Sequence, residues 1–231
     1  MWSELLQTPL FGIGLTLAVY ALAQKVYQRT GAILFNPVFT SIASIILLLL
    51  LLQIPYASYL KGGQHILFLL GPAVVALAVP LYTRRQEILT KKGPILIGIA
   101  VGAVTSIVTA TGLAWLLGGS TEVILSLAPK SVTTPIAIGI IEKIGGIAPL
   151  TAAIVVLTGC LGAICGPEFC RWIGVRDPAA MGLAIGTASH GIGTARMLEV
   201  DRLGGAVAGL AIGLNGLMTA LLLPFLVGLF R

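Results

Sequence analysis

Apolar residues in this chain neither alternate with polar ones nor keep to one helical face. They run for about twenty residues at a time, the length a helix needs to cross a hydrocarbon core at 1.5 Å per residue. Short charged segments separate the runs. Residues 9–26, 38–54, 95–117, 147–172 and 204–230 each predict a spanning helix. The second follows Asn36-Pro37, an N-cap and first-turn proline, and carries consecutive leucines over 47–52. Another run, 65–82, contains Gly71, Pro72 and Pro80, and Pro72 predicts a kink because it lacks a backbone donor. Lys61-Gly62-Gly63 before it reads as a turn, with His65 at the membrane edge. In the run over 95–117, Gly98 and Gly102 predict close helix approach. A β-barrel is excluded because its strands would be about half as long and alternating.

Two segments break this pattern. Residues 122–145 centre on Ala128-Pro129-Lys130-Ser131-Val132-Thr133-Thr134-Pro135, and residues 178–199 on Gly186-Thr187-Ala188-Ser189-His190-Gly191-Ile192-Gly193-Thr194-Ala195. Polar, glycine- or proline-interrupted backbone at membrane depth is tolerated only against protein or a watery cavity. The two segments align, Ser131 on Ser189 and Ala137 on Ala195, with Gly145-Gly146 and Gly204-Gly205 following. Residues 122–173 and 178–230 are therefore a candidate internal repeat in a single membrane domain over 1–231.

The fold class that follows is an all-α polytopic membrane protein with six to eight membrane segments. Either both unusual segments span, or both are interrupted helices or re-entrant hairpins. A hairpin arm of about eleven residues covers about 16 Å, half of a roughly 30 Å core, which puts both tips at the midplane from opposite sides. Charge favours the hairpins. They gather Lys25, Arg29, Arg84, Arg85, Lys91, Lys92, Arg171, Arg176, Arg196 and Arg202 on one side, as the positive-inside rule requires. Lys61, Lys143 and Arg231 fall on the other side and Lys130 within the membrane.

Composition agrees: 57% of the 231 residues are hydrophobic and 10% charged, with a mean hydropathy of +1.04, against about 25% charged in soluble domains. The net charge of +6 reflects loops on the cytoplasmic side, so no nucleic-acid partner is expected. Cys160, Cys165 and Cys170 read as packing residues. The N-terminus has no basic region, so no cleaved signal peptide is expected. No nucleotide loop, metal cluster or catalytic triad is present; adjacent Ser189 and His190 point in different directions on a helix. The expectation is a protein without catalytic residues, metal or cofactor.

The unusual segments suit an anion. Thr134 as N-cap, followed by the first-turn Pro135, predicts a helix start whose free N–H groups face the cavity. Gly191, Gly193 and Thr194 suggest a backbone nest. Ser131, Thr133, Thr134, Ser189 and Thr194 offer hydroxyls and Lys130 a charge, which makes a small carboxylate the expected ligand. His190 is the candidate proton carrier, since an unperturbed imidazole titrates near pH 6.5. Each has a structural alternative: hydroxyls bonding their own helix, Lys130 reaching an interface, His190 a plain donor. Asn36 and Asn215 are structural residues or possible members of the site. Arg196 and Glu199 predict a surface pair, and Glu168 a pair with Arg171.

The Asn36-Pro37 pair, the 70–82 run, Lys130-Ser131-Val132-Thr133-Thr134-Pro135-Ile136-Ala137 and the 186–195 segment together resemble the LrgB/CidB family, over nearly the whole chain. The resemblance implies a multi-pass protein of the bacterial inner membrane, often working beside a small LrgA/CidA-type membrane partner. It implies two functions: transport of small monocarboxylates (pyruvate, or glycolate and glycerate as in the related plastid translocator), or antiholin-like control of murein hydrolases and lysis. The polar mid-membrane segments favour a secondary transporter. The plastid protein's fused LrgA-like half is missing here, so a separate partner or a homodimer is expected.

Overall fold

The computed structural model describes residues 6–31, 35–69, 72, 75, 76 and 78–229, and among these every regular element is a helix. The chain divides into two compact units, at Ala76 and Leu77.

The first unit contains α1 (Pro9–Thr30), α2 (Pro37–Leu51) and α3 (Tyr56–Phe68). Asn36 caps α2 by accepting from the N–H groups of Val38 and Phe39 at 3.0 and 3.3 Å, so it is a structural cap within this unit. The turn expected at Lys61-Gly62-Gly63 does not form; α3 runs through it. Gly62 is instead a contact surface: a Cβ there would lie 2.7 Å from Cα of Gly12 in α1. Glycine lets two backbones meet, which in a membrane protein is as good a reason for it as a turn. His65 is exposed, as a membrane-edge residue would be, and its Nδ1 bonds the Lys61 carbonyl at 2.9 Å. Most of the 70–75 segment lies outside the described residues, and with it the kink expected at Pro72.

The second unit contains α4 (Ala78–Thr83), α5 (Arg85–Thr90), α6 (Lys92–Leu116), α7 (Thr121–Leu127), α8 (Thr134–Ile144), α9 (Ala148–Trp172), α10 (Pro178–Val200) and α11 (Arg202–Leu229). Among the described residues four helices are long and apolar enough to cross a membrane: Pro9–Thr30, Lys92–Leu116, Ala148–Trp172 and Arg202–Val227. Their outward faces carry exposed leucine and valine, among them Leu17, Val101, Leu157 and Leu221. A face of that kind is suited to lipid.

α10 is two helices in one. His190 has φ 42 and ψ −139, which no helix accommodates, and the chain folds back there. Met181 and Met197 share one buried cluster, although sixteen residues of straight helix would hold them about 24 Å apart. A Cβ on Gly193 would lie 3.0 Å from the Ile185 side chain. Arm 178–189 runs beside α11 in the same direction: Gly182 meets Gly204, and Gly186 meets Ala208, where a Cβ would lie 2.6 Å from the Ala208 Cα. The arm runs against α9 in the opposite sense, with Ile185 by Gly166 and the His190 ring by Gly159. Its apex therefore stands at the middle of α9.

The first unusual segment approaches from the other end. α7 reaches Ser126, whose hydroxyl accepts from the Ile147 N–H at 2.7 Å and whose carbonyl accepts from the Thr151 hydroxyl at 3.0 Å, both near the start of α9. Residues 128–133 turn, and α8 leads back out beside the second half of α11. Ile136 meets Gly216, and Ile140, Ile141 and Ile144 pack in one cluster with Leu223.

Candidate functional site where two chain reversals meet

The two reversals meet on one side chain. Asn215, at the midpoint of α11 and 1% exposed, donates through Nδ2 to the carbonyl of Ser131 at 3.1 Å and to that of Thr187 at 3.0 Å. Both carbonyls can only accept, so the amide orientation is fixed and Oδ1 points elsewhere. That oxygen is buried with no partner, and so is the hydroxyl of Thr187. Burying an unbonded polar atom costs about 1–3 kcal/mol, so Oδ1 calls for a donor, the Thr187 hydroxyl for an acceptor or a donor, and a water could serve either.

Lys130 lies beside this junction. Its ammonium donates to the Ser106 hydroxyl of α6 at 3.2 Å and to the Ser131 hydroxyl at 3.0 Å, while those two oxygens are 2.8 Å apart. The side chain is half-buried and bonded within the fold. Among the described residues no carboxylate pairs with it. A half-buried ammonium with two hydroxyl acceptors and no carboxylate partner has the chemistry to receive an anion.

The start of α8 adds to it. Thr133 is the N-cap, with extended φ −66 and ψ 150, and its side chain makes no cap bond. This corrects the expectation that Thr134 caps a helix opening at Pro135. Thr134 is the first helical residue and Pro135 the second, because any first-turn position tolerates a missing N–H. The shift leaves the first-turn N–H groups uncapped, with the hydroxyls of Thr133 and Thr134 half-buried beside them.

The second reversal is built more tightly. His190 Nε2 donates to the Val155 carbonyl at 2.9 Å, and the ring packs on Gly159, where a Cβ would lie 2.7 Å from it. Thr194 is fully buried and its hydroxyl donates to the His190 carbonyl at 2.8 Å, so it holds the apex and is not free for a ligand. Ser189 is buried over Gly162. Gly193 is required by close packing, with a Cβ there 2.6 Å from the Ser189 Cβ, whereas Gly191 has open space around it. Lys130, Ser131 and Asn215 are thus brought together, with Thr133 and Thr134 a few residues along the same turn. His190, Ser189 and Gly193 form a neighbouring layer against α9, and Asn36 belongs to the other unit.

Sequence reasoning passed over Ser106 and Thr187. Ser106 is a hydroxyl in the middle of the apolar run 95–117, the one signal that could have found it. Thr187 lies inside the second segment, with its methyl set against Gly102, where a Cβ would lie 2.9 Å from it. A second correction concerns Glu168, which pairs with Arg196 at 3.4 Å instead of Arg171. The return arm of the hairpin brings Arg196 within reach, and Arg196 also holds Glu199 at 3.0 Å as expected. Cys160 and Cys170 are buried free thiols and Cys165 is exposed.

The LrgB-like family model matches residues 16–229. The chain is 38% identical to the uncharacterized protein YwbG of Bacillus subtilis (strain 168), over 92% of this chain and 94% of that one. It is 36% identical to the uncharacterized protein YxaC of the same organism, over 94% of each chain. No solved structure matches.

Proposed function

We propose that this chain, which belongs to the LrgB-like family, is a secondary transporter of small monocarboxylates, with pyruvate, glycolate and glycerate the acids to try first. The observation that carries the reading is the half-buried Lys130 ammonium, held by the hydroxyls of Ser106 and Ser131 and lacking a carboxylate among the described residues. A charge removed from water needs a counter-charge, and a substrate carboxylate supplies it. The uncapped start of α8, with Thr133 and Thr134, adds N–H and hydroxyl donors to the same anion. The Thr187 hydroxyl would then donate to the substrate's second oxygen, and Asn215 Oδ1 would accept from it where that oxygen is a hydroxyl, as in glycolate and glycerate. Ser189, Gly191 and Gly193 shape the opposite wall, and His190 carries the coupling proton on Nδ1.

In this reading the two reversals are re-entrant hairpins of an inverted repeat, entering a bacterial inner membrane from opposite sides between six spans. Midplane sites made from interrupted helices are a recurrent transporter design. A small LrgA/CidA-type partner or a second copy of the chain completes the assembly, in contact with membrane lipid.

Uptake of labelled pyruvate, glycolate and glycerate into proteoliposomes, with and without a pH gradient, tests this directly. Saturable uptake of at least one acid is expected, enhanced by an inward proton gradient. In His190→Gln, gradient-driven uptake should be lost while counterflow exchange persists. Absence of saturable uptake for every acid, with the protein folded, would instead favour the antiholin-like role.

A further inference from the structure

A cavity of about 460 Å³ opens at the base of the α10 hairpin, where α9 ends and α11 begins. Pro178 and Met181 of the outgoing arm and Met197 and Val200 of the returning arm give it an apolar floor, and Arg171 and Arg176 stand at its rim. Neither arginine has the carboxylate its sequence neighbours offer. Glu168, three residues before Arg171, is taken by Arg196. Asp177, next to Arg176, pairs with Lys91 at 3.0 Å and caps α10 by accepting from the Ala180 N–H at 2.9 Å. Asp201 also lines the cavity, but it caps α11 through the Gly204 N–H at 2.8 Å and is one carboxylate against two guanidiniums. The cavity is therefore net positive above an apolar floor, on the side of the second unit where Lys91 meets Asp177.

We propose that this cavity binds the phosphate of an anionic phospholipid, with the phosphodiester between Arg171 and Arg176 and the start of an acyl chain along the half-buried Pro178 and Val200. Guanidinium forks match phosphate oxygens in charge and geometry, and basic pockets between helices near a membrane surface suit anionic headgroups. A free phosphate would use the arginines but leave Pro178 and Val200 uncovered. A lipid fills both parts. Because the floor draws on both arms of α10, the lipid clamps the hairpin against the end of α9.

The test is the melting temperature of the purified protein in a neutral detergent. It is titrated with phosphatidylglycerol, with phosphatidylcholine of the same chains, and with inorganic phosphate. At 100-fold excess over its dissociation constant, phosphatidylglycerol should raise the melting temperature by roughly 5–10 °C, and phosphatidylcholine should not. The double substitution Arg171→Gln, Arg176→Gln should abolish the shift, while Arg202→Gln, an exposed arginine outside the cavity, should keep it. Equal shifts from both lipids, or an undiminished shift in the double variant, would overturn the site. An equal shift from inorganic phosphate alone would overturn the lipid as its occupant. None of these readouts depends on transport.

Discussion

Asn215 is the residue on which the two halves of the junction depend. It bonds both reversals, and it does so with a single amide nitrogen. Replacing it with leucine removes two hydrogen bonds and leaves two carbonyls to find other donors, while also removing the unpartnered Oδ1. At about 1–3 kcal/mol for each unsatisfied group, the net loss should be about 1–3 kcal/mol. That corresponds to a fall in melting temperature of roughly 2–12 °C for a protein of this size. Circular-dichroism melting in detergent measures it; an unchanged melting temperature would show that the reversals hold themselves apart from Asn215. In the sequence, Asn215 was legible only as a polar residue in an apolar run. Its partners are backbone carbonyls 84 and 28 residues away, and no local pattern announces such a bond. Glu168 shows the same blindness: the arginine three residues on was the natural partner by sequence, and chain reversal at His190 supplied a different one.

At the scale of elements, glycine decides how closely the hairpin can sit. Gly186 lies directly on the backbone of α11 at Ala208, and Gly191 lies in open space one residue past the apex. Gly186→Val should therefore separate the outgoing arm from α11 at a cost of about 1–3 kcal/mol or more, as overpacking does, and Gly191→Ala should be tolerated. Melting temperature and yield of the two variants, purified side by side, check this; equal behaviour would contradict the packing. Both interruptions were readable from composition, because each gathers hydroxyls and a lysine or a histidine beside its prolines or glycines, where α9 and α11 keep their glycines and prolines among largely apolar residues. The sense of a glycine was not. Lys61-Gly62-Gly63 looks like a turn by the same residues that make Gly62 a helix contact, and only the partner, Gly12, separates the two. The one-residue shift from Thr134 to Thr133 at the start of α8 has a similar origin, since a first-turn proline marks the turn and not the position within it.

For the whole molecule, the membrane class and the family followed from hydrophobic runs and four ordered segments, and the structure adds the meeting of the two interruptions at mid-length of α9 and α11. Beside that meeting the Lys130 ammonium is half-buried, with no carboxylate partner among the described residues. The account stands on Lys130 as the receptor for a carboxylate, and equilibrium binding of a labelled monocarboxylate to purified wild-type and Lys130→Gln protein tests it most directly. A hydrogen bond to a charged partner contributes roughly 1.5–3 kcal/mol, so affinity should fall about 10- to 150-fold, with the melting temperature unchanged or raised because an uncompensated buried charge has been removed. Equal affinity in the two proteins would contradict the account.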